Sequence, residues 1–215
     1  MKKVAVILSG SGVKDGSEIH ESVLALWALA KNKISYECFA PDKDQYHVIN
    51  HLTGEVAKES RNILVEAARI ARGKIKPLTG LNVKEFDAVL FPGGFGAAKN
   101  LSSYAYEGKD YSVDKEVEKV VKEFHTAKKP IVALCIAPMV IAKVLKAEVT
   151  IGSDPATAEI VEYVGAKHVN RKVDEIAVDK KNLVITTPCY MLTDNVYEIS
   201  LGIEAAIETL KELLN

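Results

Sequence analysis

Cysteine is scarce in this sequence, and long apolar runs are absent. The 215 residues include only three cysteines, Cys38, Cys135 and Cys189, and none of them forms a Cys-x-x-Cys pair. This spacing excludes a disulfide framework and the common zinc motifs, and it is typical of a reducing compartment. The first apolar run, residues 4–8, is too short for a signal peptide, and no run is long enough for a transmembrane helix. We therefore expect a cytoplasmic protein.

The sequence also lacks an excess of charge of either sign. It has 28 Lys and Arg residues against 29 Asp and Glu residues, which gives a formal net charge of −1. A protein with balanced charge has no excess of basic residues to attract nucleic acids or anionic membranes, so neither is expected as a partner. His47 and His51 are four residues apart, but a metal site would need a third ligand, and an exposed or loop-anchoring role is the simpler interpretation. We expect no metal and no cofactor.

Short apolar runs alternate along the chain with amphipathic helical patterns. This alternation predicts one α/β domain over residues 1–215, with a mostly parallel sheet covered by helices on both faces. The longest loops are expected at 41–55 and 95–112, where they could close over a site. The predicted strands are 4–8, 34–40, 88–91, 131–134, 175–178 and 183–186, and the predicted helices are 18–31, 56–72, 113–126 and 195–214. In helix 18–31, the apolar face is assigned to Ile19, Val23, Leu26, Trp27 and Ala30.

The most informative position is Cys135, which ends the buried strand predicted at 131–134. Pro138 follows where the first turn of a helix tolerates proline. A cysteine on a bend between a strand and a helix is the thiol form of a nucleophile elbow, and a helix N-terminus favours the thiolate. The alternative is a small hydrophobic residue of the core, because free cysteines are often buried.

Backbone amides near Cys135 are candidates for an oxyanion site. The chain turns through Gly93 and Gly94 after strand 88–91, at the same edge of the sheet as Cys135. The N–H of Gly94 and the N–H of Ile136, directly after the cysteine, could supply the two halves of the site. An ordinary strand-to-loop turn is the alternative.

An acidic residue, Glu18, opens the first predicted helix at this edge. It could hydrogen-bond the Cys135 thiol, set its ionisation or carry a proton. Alternatively, Glu18 could form a capping box with Asp15, without chemistry. His20 lies close to Glu18 and could line the same pocket. The glycine-rich segment at 9–16 misses the dinucleotide-binding spacing by one residue.

Three motifs together resemble the ThiJ/PfpI superfamily, which is related to class I glutamine amidotransferases. They are Leu134-Cys-Ile-Ala-Pro138, Phe91-Pro-Gly-Gly-Phe-Gly96 and Gly16-Ser-Glu-Ile-His-Glu21. The resemblance is closer to the ElbB-type branch, called isoprenoid biosynthesis glyoxalase. Further stretches at 39–43, 48–55, 94–101 and 186–192 extend it over nearly the whole chain.

The resemblance implies a flavodoxin-like three-layer sandwich and a homodimer. It implies that Cys135 is the nucleophile, that Glu18 touches its sulfur, and that Gly94 and Ile136 form the oxyanion site. Members of the closer branch are associated with glutathione-independent conversion of glyoxal to glycolate. Ile136 departs from the pattern, because many superfamily members have histidine there. The amidotransferase His-x-Glu pair is also missing after strand 183–186, which argues against hydrolysis of glutamine or peptides.

The leading hypothesis is therefore an enzyme acting on small 1,2-dicarbonyls, with Cys135 as nucleophile and Glu18 as proton carrier. Gly93, Gly94, Ile136 and His20 would contact the substrate. The second hypothesis is a non-catalytic protein that senses oxidants or binds a partner through the same cysteine. A glutamine amidotransferase subunit is a third.

Overall fold

A seven-stranded sheet forms the centre of the protein, whose computed structural model describes residues 1–215. The strand order is β10-β11-β7-β6-β1-β2-β5, and all neighbours are parallel except β10 and β11. The short strands β3 and β4, and β8 and β9, form two separate pairs. The strands are β1 (Lys3–Ile7), β2 (Ser35–Ala40), β3 (Val48–Ile49), β4 (Val56–Ala57), β5 (Ile75–Pro77), β6 (Ala88–Phe91), β7 (Ile131–Leu134), β8 (Glu148–Val149), β9 (Lys167–His168), β10 (Ala177–Asp179) and β11 (Val184–Thr187).

Helices cover both faces of the sheet. Successive side chains of β1 point to opposite faces, so Val4 and Val6 belong to one core cluster while Ala5 and Ile7 belong to the other. This arrangement confirms the expected flavodoxin-like α/β fold. No helix is both long and apolar enough to span a bilayer. The helices are α1 (Ile19–Lys31), α2 (Ile63–Ile70), α3 (Phe95–Lys99), α4 (Tyr104–Glu107), α5 (Lys115–Thr126), α6 (Pro138–Leu145), α7 (Pro155–Tyr163) and α8 (Val196–Leu214).

Most predicted elements are present, with three local differences. The helix predicted at 56–72 begins only after Asn62, whose side chain accepts a hydrogen bond from the N–H of Val65, and its first predicted residues form β4 instead. The strand predicted at 175–178 is β10, two residues later. The two long loops are partly ordered, since 41–55 contains β3 and 95–112 contains α3 and α4.

The predicted inner face of α1 is wrong. Ile19, Val23 and Trp27 are 44%, 50% and 46% exposed. The inner face instead consists of Glu21, Ser22, Ala25, Ala28 and Leu29. These are mostly small side chains, which allow α1 to lie close to the sheet and to α8. The rotation of α1 decides which of its acidic residues faces the interior.

Candidate active site

Cys135 lies at the end of β7, directly before the turn that leads into α6. Its φ of 59° places it in the left-handed region, which residues other than glycine seldom adopt. Its N–H donates to the carbonyl of Thr187 on β11 at 2.9 Å. The residue is only 6% exposed. The backbone therefore holds the thiol at the carboxyl edge of the sheet in an elbow conformation.

Glu21, in the first turn of α1, is the acidic group that contacts this thiol. Its carboxyl is fully buried, and Oε2 and the Cys135 sulfur both lie against Gly93, where an added Cβ would be 2.5 Å from Oε2 and 3.0 Å from Sγ. Gly93 N–H donates to Oε2 at 3.0 Å, and Tyr190 N–H donates to Oε1 at 3.4 Å. Groups from α1, from the turn after β6 and from the turn after β11 therefore fix the carboxyl beside the sulfur.

The predicted role of Glu18 needs correction, because the structure assigns the thiol contact to Glu21. Glu18 is the N-cap of α1, and its carboxylate accepts a hydrogen bond from the Glu21 N–H at 2.6 Å. This is the capping role that the sequence left as an alternative, although Asp15 instead binds the N–H of Ile49. One signal in the sequence does point to Glu21. It shares the spacing of Ala25 and Ala28, and a carboxyl on a buried face is unusual enough to mark a site.

Burial dominates the ionisation of the pair. It raises the pKa of Glu21 from near 4.5 to about 8, and the nearby charge of Glu18 adds to this effect. Burial and the charge of Glu21 also raise the pKa of Cys135, although N–H groups of Gly94 and Ile136 oppose the shift. Burial therefore outweighs the stabilisation of the thiolate that the sequence predicts from the helix N-terminus. At neutral pH the pair keeps both protons, and Glu21 is the first group to release one.

Because the folded state holds a proton on Glu21 that the unfolded chain releases, stability should depend on pH. The contribution of this group is fully present below the unfolded pKa of about 4.5 and is lost as the pH rises through about 8. We expect the free energy of unfolding to fall by about 1.4 kcal/mol per pH unit within this window.

Urea unfolding of the wild type and of Glu21→Gln checks this expectation. Between about pH 5 and pH 7, the wild type should lose roughly 3 kcal/mol relative to the variant. Other titrating groups are common to both proteins and cancel in the comparison. Parallel stability profiles would show that the Glu21 carboxyl is not buried as described.

The amides of Gly94 and Ile136 lie close enough to the Cys135 sulfur to oppose the rise in its pKa. They consequently lie beside any atom that becomes bonded to this sulfur, where the sequence placed the oxyanion site. Gly93 leaves no space for a side chain, because a Cβ there would be 2.4 Å from the Cβ of Cys135 and 2.5 Å from Oε2 of Glu21. The turn after β6 thus needs glycine in order to lie against the thiol.

Gly93→Ala should therefore destabilise the protein by about 1–3 kcal/mol, the usual cost of overpacking. Gly80→Ala is the matched control, since a Cβ at that position meets no atom within 4 Å. The control should stay within about 0.5 kcal/mol of the wild type. Denaturant midpoints measure both effects. Equal midpoints for Gly93→Ala and the wild type would mean that the turn accommodates the added methyl group without loss of stability.

His20 and Tyr190 lie at the rim of the site. Nδ1 of His20 is 2.6 Å from the hydroxyl oxygen of Tyr190 and 3.9 Å from Oε1 of Glu18. The His20 side chain is 59% exposed, so it lies outside the buried pair. Tyr190 was not predicted, although its N–H binds Glu21 and its hydroxyl binds His20.

The histidines at 47 and 51 serve the loop around β3. His51 Nε2 accepts from the N–H of Lys14 at 3.2 Å, and Nδ1 lies 3.0 Å from the carbonyl oxygen of Ile49. His47 Nε2 is 3.3 Å from Nζ of Lys99. Burial and the charge of Lys99 lower the pKa of His47. No group of three or more His, Cys, Asp or Glu side chains is arranged to hold a metal ion.

Comparison with the sequences of known proteins identifies the family of this chain. The model of the DJ-1/PfpI family matches residues 2–190. A rat protein named ES1 protein homolog, mitochondrial, is 51% identical, over 98% of this chain and 84% of its own. A human protein named glutamine amidotransferase-like class 1 domain-containing protein 3, mitochondrial, is 49% identical, over 98% and 83%. These relatives are named as mitochondrial proteins, which contradicts the expected cytoplasmic location.

Solved structures extend the comparison. An Ehrlichia chaffeensis protein described as an isoprenoid biosynthesis protein with an amidotransferase-like domain has a TM-score of 0.94 and 38% identity, over 100% of both chains. Drosophila melanogaster DJ-1beta has a TM-score of 0.55 and 18% identity, over 99% of this chain and 95% of its own, and shows the fold alone. On the match of the family model and the identity to the curated relatives, this chain belongs to the DJ-1/PfpI family.

Proposed function

We propose that this protein converts glyoxal, or a similar small 1,2-dicarbonyl, to a 2-hydroxy acid without glutathione. The observation that carries the proposal is the buried pair of Cys135 and Glu21, with the backbone amides of Gly94 and Ile136 beside the sulfur. This set supplies a nucleophile, one proton carrier and an oxyanion site. An aldehyde reaction needs these three components and no strong acid for a departing amine.

In the first step, the thiol of Cys135 adds to one carbonyl carbon of the substrate. The carboxylate of Glu21 takes the thiol proton as the S–C bond forms, which avoids a free thiolate in a buried site. The carbonyl oxygen gains negative charge beside the N–H groups of Gly94 and Ile136. Glu21 then returns the proton to this oxygen, and the product is a hemithioacetal.

In the second step, a proton moves between the two substrate carbons. Glu21, again a carboxylate, removes it from the carbon bonded to sulfur and delivers it to the neighbouring carbonyl carbon. The proton of the hydroxyl on the first carbon passes to the aldehyde oxygen, so the first carbon becomes the carbonyl of a thioester and the aldehyde becomes a CH₂OH group. Water then hydrolyses the thioester, which releases glycolate and restores the Cys135 thiol. The net reaction is glyoxal plus water to glycolate, without an external oxidant or reductant.

The surroundings of the thiol favour aldehydes over amides. Cleavage of an amide requires a proton donor for the leaving nitrogen, usually an imidazole close to the nucleophile. Here Ile136 follows the cysteine, and His20 is exposed at the rim. A homodimer stays a prediction of the resemblance.

The test is incubation of the purified full chain with glyoxal in the absence of any added thiol. We expect stoichiometric glycolate, with kcat/KM rising as the pH approaches about 8, where Glu21 becomes a carboxylate. A parallel incubation with glutamine should release no ammonia. Ammonia without glycolate would replace this proposal by a glutaminase. If neither ammonia nor glycolate forms, the result favours the non-catalytic alternative.

A further inference from the structure

A second buried thiol, that of Cys189, lies next to Cys135. Leu134 and Thr187 are partners in the parallel pairing of β7 and β11. Neighbouring strands are about 4.8 Å apart, so the two chain segments that follow this pair start side by side. Cys135 follows directly after the first of these partners, and Cys189 is two residues after the second.

The turn after β11 brings Cys189 back towards the elbow. Its φ is 48°, so both cysteines occupy the left-handed region at the ends of adjacent strands. The backbone N–H of Cys135 donates to the carbonyl of Thr187 at 2.9 Å, two residues before Cys189. Cys189 is fully buried, and both residues belong to the same core cluster. This buried thiol, at the end of the strand next to that of the nucleophile, has no part in the proposed reaction.

We infer that Cys189 is the resolving thiol for oxidised Cys135, so that peroxides convert the nucleophile into a reversible intramolecular disulfide. In the first step, Cys135 sulfur attacks a peroxide O–O bond. The sulfenic acid Cys135–S–OH forms, and the peroxide is reduced to water or an alcohol. In the second step, Cys189 sulfur attacks that sulfur, the S–O bond breaks, and water leaves with the Cys189 proton.

The disulfide would protect the nucleophile from irreversible oxidation. Without a neighbouring thiol, sulfenic acid is oxidised further to sulfinic acid, which ordinary thiols do not reduce. Burial raises the pKa of both cysteines and slows the first step. The inference concerns the product that follows, and it does not depend on the substrate proposed for Cys135.

Cys38 is the matched control. It is also buried, and it lies on β2, three strand spacings or about 14 Å from β7. That distance is beyond the reach of a disulfide with Cys135. Its thiol should therefore stay reduced while the other two form the bond.

The experiment treats the full chain with hydrogen peroxide until no reduced Cys135 remains, blocks free thiols with N-ethylmaleimide and maps peptides by mass spectrometry. The wild type and Cys38→Ala should yield a linked pair of peptides carrying Cys135 and Cys189, and dithiothreitol should release it. Cys189→Ala should instead accumulate sulfinic acid at Cys135, two oxygen atoms heavier and resistant to dithiothreitol. Wild-type Cys135 that accumulates as sulfinic acid, or a link that includes Cys38, would overturn the inference. This mass readout stands whether or not glyoxal is a substrate.

Discussion

Cys135→Ala should abolish glycolate formation from glyoxal, with a loss of kcat/KM on the order of 10³-fold or more. The variant removes the atom that bonds the substrate carbon, while Glu21 and the amides of Gly94 and Ile136 stay in place. Cys135 is almost fully buried, but alanine is only slightly smaller than cysteine, so the substitution should retain the fold. Glycolate measured by chromatography and circular dichroism measured on the same sample separate chemistry from folding.

Cys38→Ala provides the control for this variant. Both substitutions remove one buried thiol, but Cys38 lies on the distant strand β2. Turnover by Cys38→Ala should be within a few-fold of the wild type. Full turnover by Cys135→Ala would exclude a covalent mechanism at the elbow.

Glu21→Gln should lower kcat by about 10²–10⁴-fold, the usual contribution of general acid–base catalysis. The carbonyl oxygen of glutamine can accept one of the hydrogen bonds that Gly93 and Tyr190 donate, but its NH₂ group then faces the other N–H, so circular dichroism on the same sample checks that the fold is retained. Glutamine cannot carry a proton between the substrate carbons. The increase in activity towards pH 8 should disappear along with the carboxyl group.

Glu18→Gln is the matched control, because the two acids lie three residues apart at the start of α1, Glu18 as its N-cap and Glu21 in its first turn. Glutamine at the cap should cost about 0.5–2 kcal/mol of stability and leave the maximal rate nearly unchanged. The charge of Glu18 helps to raise the pKa of Glu21, so the rate profile should shift to lower pH in this variant. A loss of maximal rate equal to that of Glu21→Gln would return the proton-carrying role to Glu18.

The central part of the fold could be predicted because its strands are short apolar runs with few alternatives. The strand at 131–134 has the predicted bounds, and the turn at Cys135 follows from the sequence on either side. The face of α1 could not be predicted in this way. The pattern of large apolar residues predicts an inner face of Ile19, Val23 and Trp27. In the structure, close packing against the sheet and α8 places mostly small side chains on that face instead.

The position of Glu18 at the start of the helix predicts the thiol contact, but the rotation of α1 turns Glu21 towards the interior instead. The pKa values of Glu21 and Cys135 could not be predicted from the sequence either, since they depend on burial by segments that are distant along the chain. Gly93 and Tyr190 approach Glu21 only after β6 and β11 have joined the sheet. Helix position alone predicted a lowered pKa for Cys135, and packing reverses the direction.

The most direct measurement is the rate of iodoacetamide alkylation at Cys135 as a function of pH, followed on its own peptide so that Cys38 and Cys189 do not contribute. Removal of the neighbouring carboxyl in Glu21→Gln should lower the pKa of the Cys135 thiol and speed alkylation, while glyoxal turnover falls. Glu18→Gln should change the alkylation profile far less. An unchanged profile in Glu21→Gln, or an equal shift in Glu18→Gln, would contradict the assignment of Glu21 as the acidic partner of the nucleophile.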